Sequence, residues 1–349
     1  MLTIDKIVRI EDQKRWNQLL EEFVDSNHYH TWNYSKIVQN EKKIEHVAVY
    51  SQNKLIALFQ TRIKVLPLLG LGIVYIFKGP IWQKKHQQNK LETLTQILIA
   101  IKDEYLKKQI LLLRIRPLVY SDQFSENNFI SLINGYFRYR KVFYKTLILD
   151  LNKSLEEIRK KFKQKWRNHL AKSERNGLQI VRGSDSKLFD DFIQIYNQMI
   201  TRKKFKTSVN IYAVKKLNEI LDYFYKLKII VSYKDSIPVS GIIFSCLGET
   251  GISIFRATND QGMKLCASYL IQYETIKWLM ELGAKRYDLG GIDPGKNPNV
   301  FNFKAGITTC QATDFGIIEA YRSKLLKGLS FSSEYLKGWA GYLAALIGL

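Results

Sequence analysis

Residues 287–306, YDLGGIDPGKNPNVFNFKAG, restrict the fold more than any other stretch. Apolar alternation over residues 285–289 predicts a short strand, and Gly290 and Gly291 then call for a tight turn, because glycine enters backbone regions that other residues resist. A Pro/Gly/Asn loop follows, and after it a second extended piece is expected to deliver Phe301, Phe303 and Lys304 together. The aromatic rings on either side anchor this loop to a core. Asp288 is positioned to cap or brace the turn, and Asp293 to form an Asx-type turn.

The rest of the chain is globular. Its 349 residues suffice for two domains with separate cores, and 46% hydrophobic with 25% charged residues is an ordinary globular balance. Cys246, Cys266 and Cys310 lack CxxC spacing and read as free thiols in a reducing compartment, which argues against a disulfide framework or a zinc site. His28 and His30 form one close pair without a carboxylate or cysteine at ligand spacing, so no metal is expected. The N-terminus shows no signal peptide, and the uncharged run 65–77, broken by Pro67, Gly70 and Gly72, is shorter than the roughly 20 residues that span a bilayer. These features predict a cytoplasmic protein, with peripheral membrane contact as an option, and a monomer.

Charge narrows the partners. Lys and Arg number 54 against 32 acids, a net +22, which points to a polyanion such as nucleic acid or an anionic membrane face; a lysine-rich background composition is the plain alternative. The basic residues cluster: residues 153–175 carry nine bases and three acids.

Period changes along the chain outline the elements. Helical spacing covers 12–24, and Thr31 is read as the cap of a second helix. Strands are expected at 46–50 and 55–63 around a Gln52-Asn53 turn, at 75–77, at 110–115 after an amphipathic helix 91–106, and at 142–151 to close the first half. Ser154 and Glu157 form a capping box that opens a helix whose apolar stripe runs Leu155, Ile158, Phe162, Trp166 and Leu170 up to Gly177. The opposite face carries Lys160, Lys161, Lys163, Arg167 and Lys172. The second half then repeats the outline: a strand from 178, helices 189–203 and 212–227, strands 229–233, 239–246 and 252–257, and a helix 265–282. The tail 325–349 is rich in Leu, Tyr and Trp and reads as a helix docked on the first unit, or as an interfacial helix.

The order Tyr287-Asp288-Leu289-Gly290-Gly291-Ile292, a Pro-containing loop, then Asn302-Phe303-Lys304-Ala305-Gly306 resembles the signature of the Fem aminoacyltransferases (FemABX), which add amino acids to peptidoglycan stem peptides. Lys165, Arg167, Asn168 and Lys172 match a basic run in that family. The resemblance implies a mixed α/β fold of two GNAT-like units without the coiled-coil arm of some members. Residues 1–151 would form the first unit, completed by 314–349, and 152–313 the second. It also implies aminoacyl-tRNA as co-substrate, no other cofactor, and a UDP- or lipid-linked muropeptide as acceptor.

The reaction so implied is aminolysis of an ester, which most needs a fixed positive donor at the developing oxyanion. The resemblance puts Lys304 in that role; Phe303 beside it is expected to wall the catalytic site and exclude water, and Asp288, Gly290 and Gly291 are expected to contact substrate. Arg202 and Lys203 match the phosphate-holding arginine of the acceptor site, offset by one or two residues, and Lys36 a second phosphate-binding lysine. Lys160, Lys161, Lys165, Arg167 and Lys172 are the expected tRNA contacts. One departure stands out: in Arg114-Ile115-Arg116-Pro117 an arginine replaces the acid common in the family, so Arg116 is a further phosphate candidate. Two other readings remain open. An acyl-CoA N-acyltransferase would need a pyrophosphate turn, for which residues 259–264 offer only a poor match, and a non-catalytic nucleic-acid binder would leave Lys304 without a purpose.

Overall fold

The computed structural model describes residues 3–65, 72–85, 88, 90–107, 110–204 and 209–322. Along the chain, the strands are β1 (Lys6–Arg9), β2 (Ile44–Ser51), β3 (Lys54–Val65), β4 (Gly72–Phe77), β5 (Ile110–Arg116), β6 (Arg138–Arg140), β7 (Lys145–Asp150), β8 (Gln179–Gly183), β9 (Lys228–Lys234), β10 (Ile237–Ser245), β11 (Thr250–Thr258), β12 (Arg286–Gly291), β13 (Gln311–Thr313) and β14 (Ile317–Tyr321). The helices are α1 (Gln13–Leu20), α2 (Tyr34–Ile37), α3 (Leu91–Leu106), α4 (Glu126–Ile133), α5 (Leu155–Lys161), α6 (Gln164–Arg175), α7 (Ser186–Lys203), α8 (Ile211–Ile220), α9 (Asp260–Lys264), α10 (Ala267–Glu281) and α11 (Pro298–Ala305).

Two seven-stranded sheets share one plan. The first runs β1-β2-β3-β4-β5-β14-β6, and the second, read from its other edge, β8-β9-β10-β11-β12-β7-β13. In each, the fourth and fifth strands are parallel and all other neighbours antiparallel. The sixth position is exchanged: β7 follows the first unit in sequence yet pairs with β12, while β14 follows the second and pairs with β5. The expected strand 142–151 therefore does not close the first half. It lies in the second sheet, so the change of unit comes between β6 and β7, before residue 151.

Local sequence explains the elements. Gln52 and Asn53 both take positive φ, 50° and 61°, the backbone of a two-residue hairpin turn between β2 and β3. Leu94, Leu98, Ile101 and Tyr105 of α3 recur at helical spacing and are buried in the first core with Val47, Phe59 and Leu113. Trp166, Leu170, Ile276 and Tyr287 belong to a second core under the other sheet.

Two long helices expected from sequence are each broken. The stripe from Leu155 to Leu170 stays buried, but Phe162 turns extended (φ −62°, ψ 144°) and separates α5 from α6. Arg167 repairs the break, its Nη1 donating to the carbonyls of Lys160 and Phe162 at 2.7 Å each. The expected helix 212–227 stops at Ile220, and a 3-10 turn over Tyr223–Tyr225 follows, whereas α10 fills the expected helix 265–282 in one piece from Ala267 to Glu281. Thr31 does not open α2, which Asn33 precedes; it ends a 3-10 turn over His28–His30, its hydroxyl donating to His28 O at 2.8 Å. The tail 325–349 lies outside the described residues. No described helix is long and apolar enough to cross a membrane.

Candidate active site

Strands β11 and β12 pair in register only from Thr250↔Arg286 to Ile252↔Asp288. Beyond that point the strands part, and the carbonyls of Leu289, Gly290 and Gly291 are met by side chains. Arg256 Nη2 donates to Leu289 O at 2.8 Å, and Lys304 Nζ donates to Gly290 O at 2.7 Å and Gly291 O at 2.8 Å. Thr146 Oγ1 on β7 makes a further bond to Gly290 O, at 3.0 Å. A buried carbonyl without a partner is costly, so these cations hold the splay open.

The segment that delivers Lys304 is helical rather than extended. Pro298 sits in the first turn of α11, where its fixed φ is pre-organised and its missing N–H costs nothing. Upstream, Lys296 N donates to Asp293 Oδ1 at 3.0 Å in an Asx turn. Downstream, Gly306 packs so closely on Trp166 that a Cβ would fall 2.5 Å from its ring. Phe303 meets Tyr269 edge to face and Trp166 at a tilt, ring centres 5.1 and 6.0 Å away, and lies 5.7 Å below the Arg256 guanidinium. Gly290 takes φ +80°, and a Cβ there would lie 3.3 Å from Ser253 O and 3.5 Å from Lys304 Nζ. The turn thus requires glycine for its backbone and for room beside the lysine.

Electrostatics follow from this burial. Lys304 is 3% exposed, and burial followed by the nearby Arg256 lowers its pKa to about 6, with Asp288 opposing. Burial raises the Asp288 carboxyl, while the Thr146 hydroxyl and the Gly290 N–H, 2.8 Å from Oδ1, favour its charged form. An ammonium has three N–H groups, and two of those on Lys304 are committed to carbonyls. The third is left for the cavity.

That cavity, about 640 Å³, is built by both units. His28, Tyr29, Tyr34 and Phe77 of the first face Arg256 and Lys304 of the second, with the Tyr144 ring against Gly291, where a Cβ would approach to 2.9 Å. Burial lowers the His28 pKa to about 3 and leaves it a neutral wall. Behind Tyr144, Asp314 Oδ2 accepts from Lys78 Nζ at 3.1 Å and Arg116 Nε at 2.7 Å, while its Oδ1 accepts from Tyr144 N at 2.8 Å.

The residues singled out in sequence separate into groups. Lys304, Gly290 and Gly291 line the cavity; Phe303 and Asp288 brace it from behind. Arg116 is engaged by Asp314, so the carboxylate missing beside Pro117 arrives from a distant strand end and the guanidinium is not held ready for phosphate. Arg202 is paired with Asp260 and also donates to Thr258 O at 3.0 Å; neither it nor Lys203 lines the cavity. Lys36 is exposed in a separate hollow with Lys42 and Lys216. Lys160, Lys161, Lys165 and Lys172 are exposed on α5 and α6, whereas Arg167 is spent on the helix break. Sequence reading overlooked Arg256, Tyr144, Lys78 and Asp314, which lie far apart along the chain and carry no spacing signal. Among the described residues, no group of three or more His, Cys, Asp or Glu is arranged to hold a metal ion.

Residues 215–325, which contain the glycine turn, α11 and Lys304, match the model of the FemAB family. Over these residues, about a third of the chain, it is similar to the FemAB family. The FemX crystal structure superposes with a TM-score of 0.76 at 15% identity, over 93% of this chain and 99% of that one. A conserved protein of unknown function from Bacteroides thetaiotaomicron gives 0.57 at 8% identity, over 92% and 100%. L-PGS from Bacillus licheniformis gives 0.53 at 14%, over 92% and 95%. No curated protein matches by sequence. The FemX likeness bears on the fold, two mixed α/β units in tandem, and the matched region 215–325 includes the glycine turn and Lys304.

Proposed function

We propose that this protein acts as a FemAB-type transferase that moves an amino acid from aminoacyl-tRNA to an amino group of a UDP- or lipid-linked muropeptide. The observation that carries the proposal is Lys304, pinned by two carbonyls in a cavity to which both units contribute. The acceptor nitrogen attacks the ester carbonyl, the C=O pair shifts to oxygen, and the remaining N–H of the Lys304 ammonium meets that oxyanion. Collapse then forms the amide, breaks the ester C–O bond and releases the ribose hydroxyl, which takes the proton lost by nitrogen. Phe303 and the aromatic residues of the first unit exclude water that would hydrolyse the ester.

An acyl-CoA donor is disfavoured by the segment before α10. Residues 260–264 form α9, capped by Asn259, and Gly262 packs where a Cβ would fall 2.3 Å from Val239 O. That glycine serves packing, and no open phosphate-binding turn is left at the helix start.

The test is transfer of labelled amino acids from a bulk charged tRNA pool to UDP-linked and lipid-linked muropeptides, with Lys304→Ala in parallel. Label transferred by the wild type and lost in the variant supports the reading and identifies the amino acid. Transfer from acetyl-CoA with none from tRNA overturns it.

A further inference from the structure

The turn after α8 holds aromatic rings out to solvent on a rigid mount. Its 3-10 segment, Tyr223–Tyr225, is fastened by Tyr225, which is buried in a core with Trp16 and Leu217 and whose hydroxyl donates to Glu21 Oε1 at 2.8 Å. The exit is fixed as well, Leu227 N donating to Asn218 Oδ1 at 2.7 Å. On this mount Tyr223 is 81% exposed and Phe224 54%. Tyr212, Lys216 and Ile220 step by four along the outer face of α8, so Tyr212 and Ile220 extend the same exposed rim. The inner face of α8 already supplies the core, through Ile211, Val214 and Leu217. Packing within the molecule therefore gives no reason for the outer set. Large apolar side chains exposed singly are ordinary, but a group of them on one rim marks a contact surface.

Basic groups stand beside this rim. The stretch after α2 lies against α8 around a hollow of about 500 Å³, with Lys36, Lys42 and Lys216 in its lining. Its one carboxylate, Glu41, is turned to Arg62 and Lys64, 3.6 and 3.5 Å away, and the three lysines have no carboxylate partner among the described residues. Lys228 Nζ lies 5.6 Å from the centre of the Tyr223 ring. The acids nearby are occupied: Asp222 accepts from Asn17 Nδ2 at 3.2 Å, and Glu219 stands 3.7 Å from Lys215 Nζ. Pairing the rim with a second copy of this chain would set the unpartnered lysines against each other, because a two-fold contact joins a patch to itself.

We infer that this rim, Tyr212, Ile220, Tyr223 and Phe224 with Lys42 and Lys216, docks the protein on an anionic lipid bilayer. Tyrosine and phenylalanine rings settle at headgroup depth, an aliphatic tip enters the acyl boundary, and ammonium groups meet lipid phosphates. The net charge of +22 acts in the same direction at longer range. The inference does not depend on the donor or acceptor of the proposed reaction. It does bear on access, because Val38 and Gln39 just past α2, and Val214 and Leu217 of α8, also line the active-site cavity. Docking by the outer side of these elements brings that cavity to the lipid surface.

The experiment is sedimentation of the full chain with vesicles of phosphatidylcholine alone, and with vesicles of phosphatidylcholine and phosphatidylglycerol in equal parts, at low and high salt. Wild type is compared with Tyr223→Ser/Phe224→Ser, with Lys42→Ala/Lys216→Ala, and with Ile237→Ser/Met263→Ser, an exposed apolar pair near the start of β10, at the other end of β9 from Lys228. The aromatic pair is expected to weaken binding to the mixed vesicles by about 10-fold or more. The lysine pair is expected to lose about 25-fold there, at about fivefold per lysine, and nothing on phosphatidylcholine alone. The pair near β10 is expected to bind as wild type does. Wild type that stays in solution with the mixed vesicles at low salt, or an aromatic variant that binds as wild type does, overturns the rim as a membrane anchor. Equal losses in the aromatic pair and the pair near β10 overturn it too. A dimer that forms without vesicles and is abolished by Tyr223→Ser/Phe224→Ser overturns the lipid assignment in favour of a second copy of this chain.

Discussion

The Lys304→Met variant separates the ionisation of this lysine from that of the acceptor. With the Lys304 pKa lowered to about 6, only the ammonium form has an N–H beyond the two held by Gly290 O and Gly291 O. For the proposed transfer, wild-type kcat/KM is expected to follow the product of that ammonium fraction and the free-amine fraction of the acceptor, an aliphatic amine with a pKa of about 10. The profile rises tenfold per unit up to about pH 6 and is then level to about pH 10. In Lys304→Met only the acceptor titrates, so the rise continues through pH 6. Removing one oxyanion donor costs about 10²- to 10³-fold, or about 2.7–4 kcal/mol. With that deficit at pH 6, two decades of continued rise reduce it to about 1- to 10-fold by pH 8. The assay is single-turnover transfer from charged tRNA, with uncatalysed ester hydrolysis subtracted at each pH. A wild-type profile without a break near 6 refutes the reasoning, as does a break that survives in the variant. Asp25, raised to about 7 by burial, is the nearest competitor, and Asp25→Asn shows whether a surviving break is its own.

The same lysine weakens the fold. Its folded pKa lies below the unfolded value, so between about 6 and 10.5 the unfolded chain binds a proton that the folded chain does not, and stability rises with pH across that window. At pH 7 the penalty has a ceiling of about 5 kcal/mol, offset in Lys304→Met by about 1–3 kcal/mol for the abandoned Gly291 carbonyl. Urea unfolding is expected to show a gain of roughly 2 kcal/mol for the variant at pH 7, shrinking toward pH 10; a loss at pH 7 contradicts the account. Gly290→Ala places a side chain at φ +80° and presses on Ser253 O and Lys304 Nζ, costing about 1–2 kcal/mol of stability and lowering kcat more than it raises KM. Asp314→Asn leaves Lys78 and Arg116 short of a buried countercharge and is expected to cost about 3–5 kcal/mol in urea unfolding. A change below about 1 kcal/mol would show that Asp314 is not the tie between the units.

Legibility in the sequence tracked how local the cause was. The β2–β3 turn, α3 and the glycine turn were readable because a few adjacent residues decide them: Gln52-Asn53 by backbone, the Leu94 to Tyr105 stripe by period, Gly290 by conformation. The broken helices were not, because the apolar stripe through Phe162 keeps its period across the break and Arg167 restores the lost bonds from outside it. The α11 segment looks extended in sequence because Pro298 falls in a Pro/Gly/Asn-rich stretch, whereas in the fold it opens a helix. The Lys304 position was readable through its motif, whereas Arg256 and Tyr144 reach the cavity from β11 and from the approach to β7. Arg116 shows the limit most clearly, since its partner Asp314 stands 198 positions away in sequence.

The exchanged strands explain why a cavity between units can serve as a site. In a simple tandem pair, two domains joined by a linker would meet through surface patches and move relative to one another. Here β7 is bonded edge to edge inside the second sheet and β14 inside the first, so separating the units means breaking backbone ladders on both sides. The Asp314 knot lies at the start of that return crossing, and Thr146 on β7 braces Asp288 and Gly290 directly. The aromatic wall of the first unit is thereby held in fixed register with Lys304 of the second. Placement of this kind is what the proposed aminolysis requires, because its rate depends on holding nitrogen, carbonyl and oxyanion donor within a fraction of an ångström.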